Sequence, residues 1–284
     1  MNRLLIITFL ILLCYSCGIK HEIKKESKHH QFAYNKDLLL LNYDCKTDAD
    51  DLHTIAAFAS LVRLPNYSKI NYYAVAGSYG IQKGEYIPAN SLFKLVFNDR
   101  WSDAHTNYEN AINEVYNKAI KTLNNGGNIW IAEAGQSDFS ASLVKKIQNN
   151  TNQLNTKNRV FIVQHSDWNE QMTRAENLAF VKKHCNYQKI PDGNKANNGS
   201  PGYATSNPID WENILDDKEI LSIWTLATTL ANTYNGVQNR YLNKTIKAGG
   251  LDFSDFSEVH HILNLEELNT CSAFFKFIQN ENRP

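Results

Sequence analysis

Between Asp44 and Asp51 the chain reads Asp-Cys-Lys-Thr-Asp-Ala-Asp-Asp, placing four carboxylates within eight residues. The apolar run Leu38 to Leu41 stands directly before them and the helix-like run Leu52 to Leu64 directly after. A short apolar strand, a turn and an amphipathic helix make the opening of an α/β unit. In open α/β sheets ligands bind beyond the carboxyl ends of the strands, and these acids sit at such an end. Crowded carboxylates repel one another, and a hard cation with oxygen ligands relieves that repulsion, so Ca²⁺ or Mg²⁺ is the expected cofactor. Helix capping by Asp48, Asp50 and Asp51 accounts for one or two of the acids, but not for four that begin on the strand itself.

Other polar residues collect where further strands are expected to end. The strand over 71–77 leads to Ser78 and Tyr79, and the strand over 128–134 to Gln136, Ser137 and Asp138. The strand over 159–163 leads to His165, Asp167, Trp168, Asn169 and Glu170. In this second cluster His165 or Glu170 can protonate a leaving group and Trp168 can stack on a sugar or base. The alternative is a turn in which Asp167 caps the next helix and Trp168 packs on the core. Glu133 reads as an edge residue rather than an inward functional one. The polar loop from Pro191 to Pro208 reads as a lid or substrate wall, with Gly193-Asn194 and Asn197-Asn198 as lesser amide contacts. His260 and His261 are adjacent on a helix and point apart, which argues against a shared metal.

Helical spacing over 108–123, 140–147, 173–184 and 211–233 alternates with these strands. The expected fold class is α/β: a mainly parallel open sheet with helices on both faces. Upstream, Met1-Asn2-Arg3 and the apolar run Leu4 to Leu13 form a secretory leader rather than a membrane span. Ser16-Cys17 resembles a bacterial lipobox, so residues 1–17 are read as a lipoprotein signal with lipidation at Cys17. Residues 18–37, rich in Lys, His, Glu and Ser, read as a flexible tether, and 38–284 as the folded domain. Formal net charge is zero, without a basic stripe, which argues against a nucleic acid polymer as partner. Cys45, Cys185 and Cys271 show neither paired nor zinc-type spacing, and Cys45 reads as a buried thiol.

The acid motif resembles the opening of the nucleoside hydrolase superfamily, whose first strand ends in Asp-x-Asp-x-x-x-Asp-Asp. Asp44, Asp50 and Asp51 fall on three of its four acid positions. The segments around Gly135-Gln136-Ser137-Asp138, Asn158 to Asp167 and Gly250 to Phe256 follow in the superfamily's order. The resemblance implies Asp44, Asp51, Asp138 and Asp255 (or Asp252) as metal ligands and Asp50 as a contact to ribose hydroxyls. With the residue-level readings added, the candidate catalytic groups are Asp44, Asp48 and His165, and the candidate substrate contacts Lys46, Asp50, Asp167, Trp168, Asn169 and Glu170. The superfamily's second Asp is Lys46 here. Three readings fit: Asp48 replaces the missing acid, Lys46 binds an anionic group on a sugar, or the site has become a binding site only. The expected function is divalent-metal-dependent hydrolysis of a glycosidic bond in a nucleoside or related glycoside. The chain is expected to be exported and lipid-anchored to a bacterial membrane, periplasmic or at the cell surface, touching the membrane through its lipid alone. The alternative is a non-catalytic carbohydrate-binding lipoprotein that keeps the hydrolase fold.

Overall fold

A computed structural model of the protein describes residues 30–281 apart from 152–153 and 196. The leader, Cys17 and most of the expected tether lie outside the described residues. The compact unit starts at Gln31, earlier than the expected boundary at Leu38. Phe32 is buried edge-on against Trp130, and buried Asp37 accepts hydrogen bonds from the Trp130 indole and the Asn128 amide.

Its first half alternates without exception: β1 (Leu38–Tyr43), α1 (Asp50–Val62), β2 (Tyr72–Ala76), α2 (Asn90–Phe97), β3 (Trp101–Asp103), α3 (Tyr108–Asn124), β4 (Ile129–Glu133), α4 (Asp138–Asn150) and β5 (Val160–His165). Next come α5 (Asp167–Met172), α6 (Ala175–His184) and β6 (Asn186–Ile190). The C-terminal part holds β7 (Ala204–Thr205), α7 (Trp211–Ile214), α8 (Lys218–Tyr234), α9 (Lys244–Lys247), β8 (Leu251–Asp252), α10 (Ser257–Leu263) and α11 (Cys271–Glu281).

Strands β1 to β6 form one all-parallel sheet in the order β3-β2-β1-β4-β5-β6, and β7 pairs antiparallel with β8. Side chains alternate between two cores, as the two-residue strand period requires. Leu39, Leu41, Trp130, Phe161 and Val163 face one core, packed with α1, α2, α8, α10 and α11. Leu38, Leu40, Ile131, Val160 and Ile162 face the other, with α3, α4 and α6. Helices on both faces explain why β1 is apolar along its length rather than alternating with polar residues. The strand order reverses between β1 and β4, and such a reversal opens a crevice beyond the carboxyl ends of those two strands.

The expected strands and helices are present, with α8 preceded by a separate short turn, α7. Two strands of the six-stranded sheet, β3 and β6, carried no sequence signal, and neither did the two-residue β7 and β8. β3 has three residues and β6 reads Asn-Tyr-Gln-Lys-Ile; both lie at sheet edges, where half-exposed positions need no apolar pattern.

Glu133 is not an edge residue. It lies on a central strand, fully buried towards α4, and pairs in register with Asn42 of β1. Its carboxyl group accepts hydrogen bonds from Asn42 (3.0 Å), Ser78 (3.3 Å) and Ser140. Burial raises it from 4.5 to about 8, against the opposing pull of these hydrogen bonds. A carboxyl raised on folding contributes stability that is complete below its unfolded value of 4.5 and lost as pH climbs through about 8. Glu133→Gln keeps the shape and removes this dependence. In thermal melts the variant should match the parent at about pH 4 and exceed it by a few kcal/mol at about pH 9.

Candidate functional site

At the crevice the loop between β1 and α1 turns sharply, with Cys45 at a φ of 48° and a cis Lys46–Thr47 peptide. Asp44 accepts the Lys46 amide at 2.7 Å through Oδ1, and the side-chain amides of Gln82 (3.2 Å) and Gln136 (3.1 Å) through Oδ2. Gln136 reaches Asp44 because the β4–α4 turn passes very close: a Cβ on Gly135 would lie 2.5 Å from the Asp44 Cβ.

Asp51 does not cap its own helix. Its Oδ2 folds back to accept the Cys45 amide at 2.6 Å, while Oδ1 is buried without a hydrogen-bond partner. The N-cap of α1 is Ala49, which makes no side-chain cap bond, so capping does not explain these acids. Asp48 is held by the Asn243 side-chain amide at 3.1 and 3.3 Å, and that same nitrogen contacts Asp252 at 2.9 Å. Burial and the charge of Asp252 push Asp48 up to about 7. Burial, offset by hydrogen bonds, raises Asp44 to about 6. Asp50, Asp51 and Asp255 stand well above the usual carboxylate range, first through burial and then through neighbouring charge: Asp48 and Asp252 act on Asp50, Asp44 on Asp51, and Asp50 and Asp51 on Asp255.

From β5, His165 is buried and tied to α10. Glu258 Oε1 accepts from both its backbone amide and its Nδ1 at 2.7 Å. Nε2 faces Asp255 at 3.5 Å and Asn194 at 3.5 Å. Burial, the largest single influence, would lower its pKa; the charge and hydrogen bond of Glu258, together with the charges of Asp192 and Asp252, outweigh it and raise the value.

These groups surround a cavity of about 330 Å³ whose lining includes Asp44, Lys46, Asp48, Asp50, His165 and Asp255. Trp168, half exposed, and Asn169 complete one wall; Tyr241, also exposed, stands in the lining as well. Asp51 is buried within the same group of acids. The loop after β6 forms a wall through Asn194, as expected, whereas the Asn198 amide is spent on Asp192 of its own loop. His260 and His261 bond separately, to Tyr203 and to Gln188.

Four expected site residues are absent from the cavity lining: Asp51, buried among the acids, and Asp138, Asp167 and Glu170. Asp138 is taken by Arg174 at 2.9 Å and Asn177 at 2.7 Å, and Gln136 is what the end of β4 presents to Asp44. Asp167 turns outward to Lys189. Glu170 bonds Lys182 at 2.7 Å, Tyr187 at 2.8 Å and Lys189 at 3.2 Å. Gln82, Asn243 and Glu258 are structural partners that no motif in the sequence indicated. Burial holds the Cys45 thiol far up, which leaves no nucleophile there.

No family model, curated protein or solved structure matches this chain. The chemistry of the site rests on its own geometry.

The acids offer oxygen donors, which suit a hard divalent cation, and Asp51 Oδ1 is buried without a hydrogen-bond donor, its carboxyl lying against those of Asp44 and Asp255. Among the described residues no three or more His, Cys, Asp or Glu side chains stand closed around one point, so the fit is one of donor chemistry and not of a finished cage. Lys46 lines the same cavity, with its ammonium over the Tyr79 ring, 4.4 Å from the centroid. In chelator at neutral pH, Asp51→Asn should raise thermal stability by roughly 1–4 kcal/mol, since the amide needs no proton to sit among these acids and keeps an acceptor for Cys45. Added Ca²⁺ should stabilise the parent and not this variant. Asp138→Asn should keep the Ca²⁺ response, because its carboxylate serves Arg174.

Proposed function

We propose that this protein is a divalent-cation-dependent hydrolase of glycosidic bonds, acting on the N-ribosyl bond of a nucleoside or on a related glycoside, and anchored at a bacterial membrane by a lipid on Cys17. The observation that carries the reading is the unpartnered Oδ1 of Asp51 among Asp44, Asp50 and Asp255, next to a cavity of sugar size. The order of Asp44, Asp50 and Asp51, which resembles the nucleoside hydrolase superfamily, supports the same reading.

Asp44, Asp51 and Asp255 are the residues that would hold the cation. A bound Ca²⁺ or Mg²⁺ would acidify a water and hold vicinal hydroxyls. Asp48, raised to about 7, is suited to take a proton at its carboxylate near neutral pH. Asp50 lines the cavity where sugar hydroxyls would lie. Glu258 grips His165 by Nδ1, which leaves Nε2 to deliver a proton to the leaving group. Trp168 offers a half-exposed ring face for stacking, and Asn169 and Asn194 offer amides to hydroxyl groups. Attack on an oxocarbenium-like anomeric carbon needs this pairing of an acid beside the leaving group and a base beside the water.

One observation favours a second reading, a carbohydrate-binding lipoprotein without turnover: Lys46 lines the cavity in a position where the superfamily carries an acid. Calorimetric titration with Ca²⁺, Mg²⁺ and Mn²⁺, followed by assays on nucleosides and chromogenic glycosides, separates the two. The hydrolase should bind one of these ions and turn over substrate. His165→Asn should then lower kcat by about 10²-fold or more, and Trp168→Ala should act mainly on KM. Sugar binding with neither cation heat nor turnover would leave the second reading standing.

A further inference from the structure

At the opposite edge of the sheet, beneath the amino-terminal ends of β1 and β2, lies a cleft of about 470 Å³. Lys36, Arg100, Lys118 and Lys121 line it, and no carboxylate does. Its floor is Leu38, Tyr73 and Thr122, all buried, and the four cations stand exposed around it. Arg100 lies over the Tyr72 ring at 5.1 Å and Lys118 over Tyr73 at 5.3 Å, so two of the charges are held in place by aromatic faces. Among the described residues none of the four makes an ion pair. The nearby Asp37 is turned inward to Asn128 and Trp130. The zero net charge of the chain therefore conceals two poles, an acidic cavity at one edge of the sheet and a cationic cleft at the other.

We propose that this cleft binds the phosphate of an anionic phospholipid headgroup. Two observations choose a lipid over a free phosphate. The folded unit begins at Gln31, so the chain joins its tether within a few residues of Lys36 on the cleft wall. The preceding segment is itself basic, with Lys20, Lys24, Lys25 and Lys28 against Glu22 and Glu26. Basic residues beside a membrane anchor gain affinity from each lysine or arginine that reaches an anionic surface. The proposal rests on the reading of Cys17 as the anchor and is independent of the hydrolase reading.

The test uses the chain from residue 17 onward carrying Cys17→Ser, so that binding does not depend on the lipid. Co-sedimentation with vesicles of phosphatidylcholine, with and without phosphatidylglycerol, should show binding only to the anionic vesicles. Lys118→Gln with Lys121→Gln, both exposed, should weaken it about fivefold per cation removed, with an unchanged thermal melt. A companion variant with Gln at the four tether lysines should retain the cleft's share of the binding. Equal binding to neutral vesicles, or loss confined to the tether variant, would overturn the proposal. So would stoichiometric heat with inorganic phosphate in a protein that ignores both vesicles.

Discussion

Carboxylates that share a water-poor space repel one another by roughly 1–4 kcal/mol per close pair, and the upper half of this molecule is arranged around that repulsion. Asp44, Asp50, Asp51 and Asp255 are all less than a tenth exposed. The charges set against them are few: His165, already committed to Glu258, and Lys46, whose ammonium rests on Tyr79. Neutral donors make up part of the difference. Gln82 and Gln136 converge on Asp44, and Asn243 bridges Asp48 and Asp252. These amides fix carboxylate orientation without cancelling charge, so the cluster must hold protons or a cation. Folding of the crevice and filling of the crevice are in this sense one problem.

The topology makes that concentration affordable. β1 and β4 are the two central strands, buried on both faces, and their register is locked by apolar side chains on either side. The switch in strand order then places the β1–α1 and β4–α4 loops side by side, and Gly135 permits their close approach. Strain and repulsion are confined to loops that a rigid sheet supports from below.

How far the sequence discloses this depends on whether a feature is local. The apolar run of β1, the acid motif and the helical spacing over 108–123 are each contained in one segment, so strand, loop and helix were all legible. The convergence of Asp44, Asp50, His165, Trp168 and Asn169 followed from a parallel sheet alone, whereas Asp255, which comes after β8, was indicated only by the resemblance. Asp138 misled because an acid at a strand end looks the same whether it faces the crevice or, as here, an arginine in the turn between α5 and α6. Asp167 and Glu170 misled likewise, since their lysine partners come from α6 and β6. Glu133 reads as an edge residue only until its strand is known to be central. Gln82, Asn243 and Glu258 matter through partners distant in the chain, and no spacing rule reaches that far.

The edge strands have a consequence for how the molecule meets others of its kind. A sheet edge is a template on which another chain can add a strand. Here β3 presents only three residues, too short a row for stable pairing. β6 is longer but carries Lys189, tied to Asp167 and Glu170, so a chain docking there would have to accept a bound charge. The same polarity that hid these strands from their sequence ends the sheet at six strands and discourages its growth into a fibre.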